Sequence, residues 1–281
     1  MKKILVPTDF STYAAKALDY ATGLIRITGG EIFLLHVCNQ LNPKYSRHEN
    51  LIKEYNDQEV RKLSGKLTQV QEELMQTGVR VHTLLYNGDI TESVLWIAQQ
   101  NGVDAIVMGT QGATGIKTAI FGTKTSSVIQ ESMVPVIAVP YNYVWKEPHH
   151  ILIAINEAEE DPKLFDPVFK LASLFNAEVK SVVYSDQNAK AAEVMESSRV
   201  IHKAQQRLNK HFGIQNTETV HITGRDFHQT LQEYIEKNQI DLLVMVTHRR
   251  KFIQSLFKFS MTRQMAYHTT IPLMSLQSMQ V

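Results

Sequence analysis

The sequence has one cysteine, Cys38, in 281 residues. That excludes an internal disulfide and suits a reducing compartment. Charge of one sign is not in surplus either: 29 Lys and Arg stand against 28 Asp and Glu, a formal net charge of +1. Such a balance leaves no electrostatic footprint for nucleic acid or for an anionic membrane surface. No apolar run approaches the ~18 residues of a membrane span. In "MKKILVPTDF" the apolar stretch is too short for a secretory signal, and Asp9 interrupts it. These absences make a cytoplasmic protein the expectation. Catalytic signatures are missing too. The 11 histidines are scattered, with no H-E-x-x-H and no G-x-S-x-G. His36, inside "FLLHV", reads as a buried structural histidine, and Cys38 as packing rather than a redox centre.

Glycine is scarce in the second half. Of 13 glycines, 11 lie before residue 141 and only Gly213 and Gly224 lie after it. The two halves nevertheless echo each other. "KKILVPTDFS" returns as "HHILIAINEA". "VDAIVMGT" returns as "IDLLVMVT" and "VPVIAV" as "IPLMSL", both at an offset of 137. "NGDITESVLWIAQQNGVD" returns as "TGRDFHQTLQEYIEKNQID" with one residue inserted. Four echoes in one order indicate a duplication. The division expected is a domain over 1–140, a linker over 141–149 holding an unpatterned "YNYVWKEPH", and a second domain over 150–281.

Within the first copy strands and helices alternate. "KILVPT", "EIFLLHV", "RVHTLLY", "AIVMG" and "PVIAV" are apolar runs of strand length. Between them lie helical patterns: residues 12–27 after a capping Ser11, roughly 50–76 ended by Gly78, 91–100, and about 123–132. This alternation predicts an α/β fold, a parallel sheet with helices on both faces. Ligands of such sheets sit beyond the carboxyl ends of the strands, where the strand order reverses. Asp9 and the stretch "GTQGATGIKTAIFGTKTSS" both follow strands and fall there.

That stretch fails the known phosphate-loop patterns. Lys117 and Lys124 follow Ile116 and Thr123, so no Walker loop exists, and G-x-G-x-x-G is absent. What exists is Gly109-x-x-Gly112, nine residues, then Gly122-Thr123. Gly109 and Gly112 let a backbone pass close to a ligand. Gly122 and Thr123 open a helix whose free N–H groups suit an anion. Read without further context, the same glycines also fit a plain surface loop.

With "ILVPTDFS" at the start, "LLHV" in the second strand and "DAIVMG" before it, the G-x2-G-x9-G-[ST] spacing resembles the universal stress protein family. The resemblance spans the first copy and, more faintly, the second. It implies two Rossmann-like domains, each a five-stranded parallel sheet, and adenine nucleotide binding, ATP or AMP, with or without magnesium. It implies that Asp9 contacts the nucleoside, the Val37 backbone the adenine, and Gly109 the ribose. Gly112, Gly122, Thr123, Lys124 and Thr125 would meet the phosphates. Lys124 departs from the small or apolar residue usual in the family, so it either reaches a phosphate or projects into solvent. Asp9 has a second reading, as a cap of the first helix. The resemblance also implies pairing of domains through their fifth strands, within one chain or between chains of a homodimer.

The second copy departs from this pattern. Aligned, Gly109 becomes Val246, Gly112 Arg249, Gly122 Phe259 and Asp9 Asn156. Each glycine exchange puts a side chain into space that a ligand would need, so the nucleotide is expected in the N-terminal domain only. "HRRK" at 248–251 reads as a solvated basic turn or a site for another anion. A slow ATPase or nucleotidyl-transferring enzyme, and a nucleotide-free interaction scaffold, are the alternative functions.

Overall fold

Ten strands join in one sheet in the computed structural model, which describes residues 1–42, 48–110, 123–155, 161–213, 218–248 and 269–278. The first half runs β1 (Lys3–Pro7), α1 (Thr12–Thr28), β2 (Glu31–Cys38), α2 (Glu49–Met75), β3 (Arg80–Asn87), α3 (Ile90–Asn101), β4 (Ala105–Gly109), α4 (Thr123–Glu131) and β5 (Val136–Val139). The second runs β6 (His150–Ala154), a 3-10 turn over Pro162–Phe165, α5 (Asp166–Phe175), β7 (Glu178–Asp186), α6 (Ala191–Phe212), β8 (Thr219–Gly224), α7 (Phe227–Lys237), β9 (Leu242–His248) and β10 (Leu273–Ser278). The order across the sheet is β3-β2-β1-β4-β5-β10-β9-β6-β7-β8. Every pairing is parallel except β5 with β10, where Ala138, Ile137 and Val136 face Leu273, Met274 and Ser275.

Strand alternation splits the core into two layers, because successive side chains leave opposite faces. Ile4, Val6, Ile32 and Leu34 meet Tyr20 and Leu24 of α1 on one face, a layer that continues through Ile151 and Val244 to α5 and α6. Leu5, Leu35, Ile106 and Met108 meet α3 and α4 on the other, continuing through Leu152 and Met245 to α7. Helices on both faces are what the alternation predicts, and two five-strand halves are what the family resemblance implies.

The duplication extends to single hydrogen bonds. Asp104 Oδ2 accepts from the backbone N–H groups of Lys2 and Lys3 at 2.6 and 2.9 Å. Asp241 Oδ2 accepts from His149 and His150 at 2.8 and 2.9 Å. Burial raises both carboxyl pKa values, but it is outweighed, at Asp104 by these backbone bonds and at Asp241 by the Lys146 ammonium first and then the backbone bonds, so both lie below the ordinary range. The inserted residue is Arg225: Gly88-Asp89 precedes and caps α3, whereas Gly224-Arg225-Asp226 precedes and caps α7.

The segment between the halves is packed rather than loose. Tyr143 is buried, and the Trp145 ring lies edge-on to Tyr20 with centroids 4.9 Å apart. The ring occupies a notch in α1 at Gly23, where a Cβ would come within 2.2 Å of it. Lys146 then pairs with Asp241 of the second half.

Candidate functional site

In the order β3-β2-β1-β4-β5 the chain reverses direction of travel at β1, so the crevice beyond the carboxyl ends of β1 and β4 is the switch point. The loop leaving β1 is fixed residue by residue. Thr8 N–H donates to Leu35 O at 2.8 Å, Phe10 N–H to Thr8 Oγ1 at 3.0 Å, and Ser11 N–H to Asp9 Oδ1 at 2.9 Å. Ser11 caps α1 by accepting from Ala14 N–H. Asp9 is exposed two residues before the cap, with one carboxylate oxygen shaping the loop. Phe10 is left-handed, at φ 61°, a conformation that disfavours a side chain. Its ring lies 4.8 Å from that of His36, and Lys66 Nζ stands 5.2 Å above it. His36 Nδ1 is 2.7 Å from Thr8 O; a carbonyl only accepts, so Nδ1 carries the proton.

Val37 continues β2 past the end of β1. The backbone of a parallel strand bonds alternately to its two neighbours. Leu35 O accepts from Thr8 on the β1 side, and Cys38 O accepts from Gly88 on the β3 side. Val37 therefore turns both N–H and C=O toward β1, which has ended at Pro7, and among the described residues no backbone group bonds to them. Cys38 donates its thiol to Tyr86 O at 3.3 Å, and burial raises its pKa.

Gly109 ends β4 directly under the first turn of α1. A Cβ there would lie 2.6 Å from the Tyr13 carbonyl oxygen and 2.8 Å from its carbon. The glycine thus has a packing reason independent of any ligand. Gly112 and Gly122 lie outside the described residues, as does Lys117. The first described residues of α4 are Thr123 and Lys124, both exposed. Thr125 is buried and its hydroxyl donates to Gly109 O at 3.0 Å, which ties α4 to the end of β4. That bond places it behind the surface. Ser126 Oγ is buried beside it, without a hydrogen-bond partner among the described residues.

Lys124 neither projects freely nor stands alone. Its Nζ is 2.8 Å from Asp89 Oδ2. Asp89 Oδ1 meanwhile accepts from Thr91 and Glu92 N–H at 2.7 and 3.2 Å, capping α3. The lysine first, and then the backbone amides, hold the Asp89 carboxyl below the ordinary range. Sequence reading missed Asp89, Tyr13 and the Phe10–His36 ring contact. The Gly-Asp before a helical pattern marks a cap, but nothing local marks its lysine, 35 residues on.

The equivalent crest of the second half is built differently. Asn156, Arg249 and Phe259 lie outside the described residues. Val246 stands where Gly109 does, and β9 and β10 run on together to His248 and Ser278. Tyr184 stands in the place of Val37, donates its hydroxyl to Gly224 O at 2.9 Å and sets its ring against Phe227. Among the described residues no three His, Cys, Asp or Glu side chains are grouped to hold a metal ion, and no helix is long and apolar enough to cross a membrane.

Comparison with known proteins agrees with the repeat. The model of the universal stress protein family matches twice, over residues 1–140 and 148–276. A universal stress protein of Methanocaldococcus jannaschii is 32% identical over 155 residues, which is 49% of this chain and 94% of that protein. Universal stress protein YxiE of Bacillus subtilis is 32% identical over 145 residues, covering 49% of this chain and 97% of YxiE. Each relative thus corresponds to about half of the present chain. A universal stress protein of Archaeoglobus fulgidus has a crystal structure that superposes on 98% of this chain and 96% of its own with a TM-score of 0.70 at 17% identity, a likeness of fold.

Proposed function

The chain belongs to the universal stress protein family, and from that premise we propose that its N-terminal half binds one adenine nucleotide, ATP or AMP, as a cytoplasmic regulatory protein of the stress response. The functional units are a nucleotide-binding domain over 1–140, a linker over 141–149, and a domain over 150–281 that has lost the site. The observation that carries the reading is the backbone pair of Val37, turned into the switch-point crevice without a backbone partner among the described residues. One donor and one acceptor in a strand extension match the edge of adenine. Asp9 accepts from the ribose hydroxyls, with Gly109 alongside. The phosphates meet Gly112, Gly122, the hydroxyl of Thr123, the start of α4 and Lys124, and magnesium arrives on the triphosphate. Thr125 positions α4 from behind.

Titration calorimetry of the full chain with ATP and with AMP tests this, with one site per chain expected. Two equivalent sites, or none, would overturn it. Asp9→Ala should lower ATP affinity by about tenfold to a hundredfold, the worth of a hydrogen bond to a charged acceptor. Lys117→Ala should change it little, since backbone groups rather than a Walker-type lysine hold the phosphates. The reverse ranking would mean that a charged side chain does.

A further inference from the structure

We propose that Asp89 makes the site selective for phosphate number by holding Lys124 until enough negative charge arrives to take it. The inference rests on the nucleotide reading above. Its geometry is a cation shared between two helix starts. Lys124 is the second described residue of α4, and Asp89 caps α3, with 2.8 Å between Nζ and Oδ2. The carboxylate is the fixed partner, because its other oxygen is held by two backbone N–H groups. The lysine is the movable one, a flexible chain with 47% of its side chain exposed.

Three features make the lysine available to a ligand. An ion pair this open to water is weak, so it exchanges readily. The first turn of α4 contains no acidic residue, so the positive end of that helix and the Lys124 ammonium are answered from α3 alone among the described residues. The helix start is tied to the sheet, because Thr125 bonds it to Gly109 O. A phosphate arriving at the start of α4 therefore competes with Asp89 for one ammonium group.

The competition is graded by charge. Breaking the pair costs the same whatever the nucleotide, but the gain rises with the charge presented to Nζ. Adenosine presents none and leaves the pair intact. AMP presents one phosphate, next to the ribose. The triphosphate presents the most negative charge, and its oxygens offer the ammonium charge-assisted bonds of the kind the carboxylate makes. Asp89 thus acts as a resident counter-ion that a triphosphate displaces and adenosine does not.

The test is the affinity of adenosine, AMP, ADP and ATP for the full chain at fixed ionic strength, in the parent, Lys124→Met and Asp89→Asn. Asparagine caps a helix as well as aspartate does, so α3 is retained; far-ultraviolet circular dichroism checks that. Lys124→Met should weaken ATP about tenfold, the worth of one charge-assisted bond, and leave adenosine unchanged. Asp89→Asn should tighten ATP by up to about fivefold, the worth of an exposed pair no longer broken, again without effect on adenosine. An ATP-to-adenosine ratio unchanged by Lys124→Met, or ATP weakened in a folded Asp89→Asn, would overturn the proposal while leaving the nucleotide site standing. A parent chain that binds none of the four overturns both readings.

Discussion

Replacing Gly109 by alanine isolates what that glycine is for. The new methyl would sit 2.6 Å from the Tyr13 carbonyl oxygen and 2.8 Å from its carbon, whereas carbon contacts settle near ~3.5–4.0 Å. The obstacle is backbone, so no rotamer change relieves it. The turn that would have to move is held by the Ser11 cap and by the loop bonds at Thr8 and Asp9. Overpacking of this kind costs about 1–3 kcal/mol. With a urea dependence of ~2 kcal/mol per M for the half that unfolds, the midpoint should fall by roughly 1 M. Gly65→Ala is the opposite control. A Cβ at Gly65 meets nothing within 4 Å, in the middle of α2, so the same exchange should stabilise by up to ~1 kcal/mol. Urea denaturation followed by circular dichroism compares the two. An unchanged midpoint for Gly109→Ala would refute the packing account. Unchanged stability with lost ATP binding would show instead that the glycine makes room for the ligand.

Asp104 and Asp241 set an acid limit. Their carboxyl groups titrate lower in the fold than free carboxylates do, so the stability they contribute is complete above the unfolded value near ~3.9 and is lost as pH falls through the folded values. Urea midpoints measured against pH should drop below about pH 4, and Asp104→Asn with Asp241→Asn should flatten that drop; equal slopes would be inconsistent with the assignment. Thr125→Val, which keeps the shape and removes the bond to Gly109 O, should cost about 1 kcal/mol and weaken ATP through displacement of α4. Full stability in this variant would show that the tie is dispensable.

Periodicity made most of the fold readable. The five apolar runs of the first copy correspond to β1 to β5, and Ser11 caps α1 as its position before the helical pattern suggests. The end of the second copy was harder. "IPLMSL" reads as the strand, yet β10 begins two residues later and ends at Ser278. Pro272 offers no N–H to a ladder, and Gln277 and Ser278 are polar residues buried by pairing with Thr247 and His248. Burial of polar residues by an extended partner strand has no signature in hydropathy. What was legible of the candidate site is position: Asp9 just after β1 and Val37 near the end of β2 fall where the apolar runs put them. The site was not legible where a residue answers a distant one: Gly109 under Tyr13, Trp145 in the notch at Gly23, Lys124 on Asp89. Those partners are set by how α1, α3 and α4 pack on the sheet.

The seam between β5 and β10 has a bearing on how the two halves came to differ. Residue 274 corresponds to residue 137 through the offset of the repeat, and Met274 lies directly opposite Ile137. A pseudo-dyad therefore passes through that pair, as it would through the centre of a symmetric dimer. In such a dimer one substitution appears on both sides of the axis and must suit its own mirror partner. Here the flanking positions vary separately: Ala138 faces Leu273 and Val136 faces Ser275. Fusion into one chain relieves each side of having to match a copy of itself. A lineage can then change the crest of one half, valine for glycine included, without a matching change in the other, and the shared seam holds both.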